Sequence, residues 1–357
     1  MRNTPIRFLI VLMCFVLSVV AVAAQEATIE PSVPTATPMP APARWTMNYG
    51  NYQAQTWNNC GPATLTNALS YFGYTENQSV AAAWLKPNYE DKNVSPWQME
   101  EFVDSQLPNM AVYAEVRYGG TLDTIKRLIS NDFPVIIEAG YNPEPERLGW
   151  MGHYLLVKGY DDTTQQITTS DSYLGDNTTY SYDHIETFWQ HFNYVYITLY
   201  ESAREAELLT LLGSDADKQT NLLNALNIAK AEVTANGSDA FAWFNMGTSF
   251  EMLSMYAEAV TVYDEARKYG LPFRMLWYQF GPLEAYYQVG RYDDMVTLVQ
   301  QNLNDGGGQY VEESFYYGGL ARLGKGDRER ALSNFDAAIA FNPNFTPARE
   351  AKVQAGG

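Results

Sequence analysis

An α+β domain followed by an all-α helical-repeat solenoid is the architecture this sequence predicts, on three observations. Between Trp45 and about Tyr200, helical patterns come first and strand patterns second, the order expected of an α+β domain with segregated layers. From about Ala203 onward strand signals vanish and every periodic segment is helical. Within that helical part, Gly213, Gly247 and Gly281 are spaced 34 residues apart, the period of a stacked array of helix pairs.

The first 24 residues carry Arg2 and Arg7, an apolar run from Phe8 to Val20, and Ala21-Val22-Ala23-Ala24. These are the three regions of a secretory signal, with cleavage expected before Ala24 or Gln25. The apolar run is short for a membrane span, so export is expected, with a membrane partner only if the segment stays uncleaved. Residues 25–44 are rich in Pro, Thr and Ala without hydrophobic periodicity and read as an extended tether. The globular domains are then expected over 45–202 and 203–357. The chain has 23 basic and 41 acidic residues. Loss of Arg2 and Arg7 leaves a charge near −20, a surface that repels nucleic acid and favours solubility.

Each element has its own signal. A helix is predicted over 62–73, with Pro62 in its first turn, Leu65, Ala68, Leu69 and Phe72 on one face, and Gly73 as terminator. A second starts at Ser95-Pro96-Trp97-Gln98, where Ser and Gln have capping-box spacing. A third covers Thr121 to about Ser130, with Ile125, Leu128 and Ile129 as its apolar stripe. Strands are predicted over Phe133–Ala139, His153–Tyr160, Gln165–Ser170 and Tyr194–Tyr200. In the helical part, residues 240–273 place Trp243, Met246, Gly247, Phe250, Ala259, Tyr263 and Ala266 at large/small positions that let two antiparallel helices interlock. Residues 312–345 do the same with Phe315, Gly319, Ala331, Phe335, Ala338 and Pro343. This pattern resembles the tetratricopeptide repeat. The units between and before these two are degenerate, which gives one solenoid of three to four units.

The chain has two cysteines, and Cys14 lies in the signal segment. The mature protein therefore keeps one thiol, Cys60, with no intramolecular partner. A lone cysteine at a loop-to-helix junction with histidines downstream is a candidate nucleophile; a buried core thiol is the plain alternative. At a helix N-terminus the free N–H groups and positive dipole end favour the thiolate. Gly61 would let substrate approach the backbone. The Cys60 N–H and a side-chain amide, from Gln53 or Gln55, could bind a developing oxyanion.

Of the three histidines, His153 opens a strand. His184 and His191 are seven apart and would share a helix face. No further ligand completes a metal site with them, so no metal and no cofactor are expected. If the strand of His153 forms a hairpin around Thr163 with the next one, residue 155 pairs with 171. His153 and Asp171 then lie diagonally on one face; a one-residue slip would separate them. Asp161 and Asp162 read as turn residues.

The block Gln55-Thr56-Trp57-Asn58-Asn59-Cys60-Gly61-Pro62, the later Gly152-His153-Tyr154 and Ser170-Asp171-Ser172 together resemble the thirty-ninth cysteine peptidase family, in its stand-alone exported C39-like branch. The resemblance covers about residues 48–200. It implies a papain-like fold with Cys60 as nucleophile, His153 as general base and acid, and Asp171 as its orienter. An upstream glutamine would complete the oxyanion hole. Family members commonly place that glutamine six residues before the cysteine, where this chain has Ala54; Gln55 is taken for the role. The family also often follows the aspartate with proline, where Ser172 stands here.

The expected function is thus an exported cysteine peptidase acting on peptide or protein through an acyl-enzyme. Its helical repeats would bind substrate or a protein partner, or simply extend the enzyme. The alternatives are a catalytically idle papain-like binding protein at the cell surface, or an acyl-transferring transpeptidase or amidase.

Overall fold

The computed structural model describes residues 41–142 and 149–357. The expected signal segment and most of the expected tether lie outside the described residues. In chain order the amino-terminal part runs β1 (Arg44–Thr46), α1 (Cys60–Leu69), α2 (Gln78–Leu85), α3 (Pro96–Gln106), β2 (Val112–Arg117), α4 (Leu122–Ile129), β3 (Val135–Tyr141), β4 (Met151–Asp161), β5 (Gln166–Asp171), β6 (Gly175–Ser181), α5 (Tyr182–Trp189), β7 (Tyr196–Glu201) and α6 (Glu205–Leu212). Helices follow: α7 (Lys218–Ala235), α8 (Ala240–Met252), α9 (Tyr256–Ala266), α10 (Gly281–Gln288), α11 (Tyr292–Asn304), α12 (Glu312–Gly324), α13 (Arg328–Phe341) and α14 (Thr346–Gln354).

Local signals account for the helix ends. Ser95 and Gln98 close a capping box at α3, and the Thr121 side chain accepts the Thr124 N–H at α4. Gly73 ends the turn after α1 with φ 82°. Four elements lacked a sequence prediction: β1, β2, α2 and β6. The last, Gly-Asp-Asn-Thr-Thr-Tyr-Ser, lies largely exposed at a sheet edge and has no apolar alternation to betray it.

The strands form one antiparallel sheet in the order β2-β7-β3-β4-β5-β6, with β1 paired to β4. Leu65, Leu69 and Phe102 pack with Ile136 and Leu156 on one face. Ile125, Leu128 and Trp189 pack with Ile137, Leu155 and Val157 on the other. Helices therefore cover both faces, where segregation was expected, because both sides of β3 and β4 are apolar and must be buried.

Two expected boundaries shift. The tether ends earlier than Arg44: the Tyr160 hydroxyl donates to the Pro42 carbonyl (2.6 Å), the Asp162 N–H donates to Ala43 (2.9 Å), and Arg44 pairs with Asp161. At the other boundary, α6 buries Leu208, Leu211 and Leu212 in the core beneath the sheet, so residues 205–212 belong structurally with the first domain. Gly213 ends that helix at φ 60° with nothing near its absent side chain. Its place in the 34-residue spacing is thus coincidental.

The central register is set by a bulge. Asp161 pairs with Gln166 and Gly159 with Thr168, but beyond Lys158 the pairing shifts, so Val157 meets Thr169 and Leu155 meets Asp171. One extra residue in β4 thereby puts His153 on the same face as Asp171.

In the helical part, α8/α9, α10/α11 and α12/α13 form the pairs of a tetratricopeptide-like array. Gly247 admits the Tyr263 ring, since a Cβ there would lie 2.6 Å from its Cδ1. Gly319 admits Phe335 in the same way, at 2.4 Å from Cε1. The array lies along the sheet domain: Asn245 donates to the Gln190 carbonyl (2.7 Å), Asn193 to the Ser249 hydroxyl (3.1 Å) and Asn342 to the Leu85 carbonyl (3.1 Å). α8 thus shares a face with the first domain. Because Phe335 is fully buried against Gly319, Phe335→Ala is expected to lower stability by about 3–5 kcal/mol, measured by urea unfolding.

Candidate active site

Cys60 is the first residue of α1, which starts two residues before the predicted 62. No acidic side chain occupies that helix's first turn, so no carboxylate there opposes the dipole's pull on a thiolate. The preceding turn is held by α2. Gln78 accepts the Thr56 N–H (2.8 Å) and donates to the Ala54 carbonyl (2.8 Å), and Asn59 donates to the Thr56 hydroxyl (2.8 Å). Buried Lys86 reaches the other side of Asn59 (3.3 Å). Sequence reasoning missed Gln78 and Lys86, for their role exists only once α2 is folded back onto the loop. Gly61 also differs from expectation: a Cβ there would press on Val94 at 3.1 Å. That glycine serves packing beneath the helix.

His153 and Asp171, both buried, are joined by a 2.9 Å bond from Nε2 to Oδ1. The Cys60 thiol lines the same cleft as this ring and is close enough for the ring to act on its pKa. With Nε2 engaged by Asp171, Nδ1 is the nitrogen left for the sulfur. Asp171 receives three further bonds, from the N–H groups of Tyr173 (2.8 Å) and Leu174 (3.0 Å) and from the Tyr180 hydroxyl (2.6 Å). Tyr180 comes from the unpredicted β6, so it too was missed.

The electrostatics follow this geometry. Burial pushes the Cys60 thiol up, but His153 and backbone N–H groups of Tyr154 and Gly61 outweigh it and hold it below its ordinary value. Burial would also strip the His153 proton; Asp171 and Cys60 reverse this and raise its pKa to about 9. Asp171 is pushed up by burial, yet bonds from His153, Tyr180 and Leu174 bring it down to about 2. The arrangement favours a thiolate beside an imidazolium.

Gln55 and Gln53 part company. The Gln53 amide is taken up by the Glu76 carbonyl (3.2 Å) and the Gln78 N–H (2.9 Å). Gln55 lines the cleft of about 370 Å³ that contains Cys60 and His153. Its Oε1 accepts from the Ser172 hydroxyl (2.9 Å), and its N–H donates to the Ser172 carbonyl (2.7 Å). That leaves its Nε2 as the unclaimed donor.

The other histidines lie elsewhere. His184 sits in α5 and stacks on Tyr180 at 4.8 Å; His191 lies past the end of that helix and stacks on Phe241 at 3.7 Å. The helix stops at Trp189, so the two do not share a face. No cluster of three metal-ligating side chains occurs among the described residues. Asp161, expected in the turn, instead ends β4 and accepts the Thr163 N–H, while Asp162 is a turn residue bonded to Lys126 and Tyr182.

Residues 47–202 match the model of the Peptidase_C39 like family, so the sheet domain is a C39-like domain of papain-like fold, followed by an all-helical region. Among solved structures, one titled "MamA RS-1 ArsTM double mutant" is similar at 16% identity, covering 42% of this chain and 96% of that one, with a TM-score of 0.32. No curated protein matches the chain.

A pH dependence follows from the two shifts. A proton held on His153 to about pH 9 contributes stability that is complete below the ordinary value of 6.5 and is lost as pH rises through about 9. Asp171 contributes above 3.8, and that share is lost as pH falls through about 2. By NMR, the His153 ring is expected to titrate near 9, and Asp171→Asn to move the transition down toward the ordinary histidine range.

Proposed function

We propose that this protein is an exported cysteine peptidase that hydrolyses peptide bonds through an acyl-enzyme. The observation that carries the reading is that Cys60 and His153 line one cleft, with His153 bonded to Asp171 behind it (2.9 Å). The Cys60 sulfur attacks the scissile carbonyl carbon, forming the S–C bond of a tetrahedral intermediate. The Cys60 N–H, free at the start of α1, and the Gln55 amide donate to its oxyanion. His153 passes its proton to the leaving amine as the C–N bond breaks. It then takes a proton from water, whose oxygen displaces the thiolate and releases the acid. Asp171 keeps the imidazole oriented throughout.

Export is supported by the signal-like pattern of residues 1–24. No helix among the described residues is long and apolar enough to cross a membrane. The helical array is proposed to act on substrate or a protein partner through the surfaces it does not share with the sheet domain.

An iodoacetamide probe across pH 5–9 tests the pair directly. Fast labelling of Cys60 below pH 7 that slows markedly in His153→Ala is expected; labelling only above about pH 8, the range of an ordinary thiol, would refute the reading. On a cleaved peptide, Gln55→Ala is expected to lower kcat by about 10²–10³ while low-pH labelling persists. An added amine competing with water for the acyl-enzyme would reveal transfer in place of hydrolysis.

A further inference from the structure

The cleft has one wall that the sheet domain does not supply. Tyr278, from the connector between α9 and α10, lines it together with Cys60 and His153. Two bonds clamp that connector to the sheet domain on either side of the ring. Arg274 donates to the Trp150 carbonyl (3.2 Å), and Gln279 donates to the His191 carbonyl (2.8 Å). Gly152 immediately precedes His153, and a Cβ there would lie 3.0 Å from Tyr278 Cδ1 and 2.8 Å from Phe192 Cζ. Only glycine lets the ring sit this close to the start of β4. Trp150 meets the ring edge-on at 5.9 Å. Tyr278 is thus held by the flanking bonds and by packing against Trp150 and Phe192, and its ring lines the cleft.

The rest of the lining matches that offer. Trp57, Tyr141, Met151 and Tyr173 are the other large side chains, and Trp57 and Tyr173 stay 54% and 51% exposed. The charged side chains of the lining are Lys92 and His153, without a carboxylate, in a chain whose net charge is −18. Lys92 already lies over the Trp57 ring, at 5.1 Å. The carboxylate beside this pair, Glu90, is already engaged by the Trp57 indole (3.2 Å) and Lys92 (3.5 Å), so a basic substrate side chain would compete with Lys92 for it. An aromatic one would find ring faces and an apolar wall.

We infer that the helical array completes the substrate cleft, with Tyr278 as a positioning residue for an extended peptide bearing an aromatic or large apolar side chain beside the scissile bond. This rests on the peptidase reading above. It makes the array part of the active site, through a residue far from the catalytic blocks in sequence.

The test compares rates of Cys60 alkylation in the full chain by iodoacetamide and by peptidyl chloromethyl ketones, which form an S–C bond and release chloride. The ketones carry Phe, Ala or Arg at the residue that supplies the reactive carbonyl. The wild type is expected to prefer Phe over Ala by about tenfold or more, with no gain for Arg. Tyr278→Ala is expected to remove most of that preference while iodoacetamide labelling stays within about twofold; Tyr278→Phe is expected to restore it. Tyr278→Leu, which keeps bulk without a ring, replaces the alanine variant if that one unfolds, and is expected to lose the preference likewise. Equal Phe and Ala rates in the wild type, or a Phe preference that survives Tyr278→Ala or →Leu, would overturn the inference. Failure of iodoacetamide to label wild-type Cys60 below pH 7 would instead overturn the peptidase reading, and this inference with it.

Discussion

The one-residue bulge at Lys158 is the constraint on which the candidate site rests. Counted from the turn, an unbroken β4–β5 ladder would set Leu156 opposite Asp171, and period-two alternation would then turn Asp171 away from the His153 face. The extra residue restores Leu155 to that place. Neighbouring contacts hold it there: the Lys158 carbonyl accepts the Met47 N–H (2.7 Å), and Gly159 passes under the Trp45 carbonyl, where a Cβ would come within 2.5 Å. The short β1, which pairs only with this stretch of β4, thus helps to fix a register expressed at the other end of the strand.

Two departures from the family pattern meet in one hydrogen bond. Alanine stands where the oxyanion glutamine is common, and serine where a proline often follows the aspartate. In the folded chain Ser172 grips Gln55 through both side chain and backbone, while Gln53 is committed to Glu76 and Gln78. A proline at 172 would have no hydroxyl to give. The serine therefore ties Gln55 to the residue next to Asp171, so the glutamine is linked to the carboxylate bonded to His153.

The helical array is less independent than a repeat domain on a tether would be. Its first pair meets the sheet domain through Asn245 and Ser249, its last through Asn342, and its middle connector through Arg274, Tyr278 and Gln279. His191, one of three histidines available for chemistry, is stacked on Phe241 and accepts from the Trp150 indole (3.0 Å). Burial pushes its pKa down to about 4. It is a neutral part of this junction.

Much of this protein was legible in the chain itself, because the signals are local. Capping at Ser95 and Thr121, the break at Gly73, the apolar strands of the sheet and the interlocking pairs Gly247/Tyr263 and Gly319/Phe335 each depend on a few neighbouring residues. Cys60, His153, Asp171 and Gln55 were picked out by residue type and by the resemblance of their surrounding blocks. What tertiary structure alone decided was register and enclosure. The Lys158 bulge, the support of the Cys60 turn by Gln78 and Lys86, the Tyr180 bond to Asp171, the different partners of Gln55 and Gln53 and the arrival of Tyr278 at the cleft all join residues distant in sequence. No periodicity or spacing encodes such contacts, since each exists only after separate elements have packed and their polar groups have found partners.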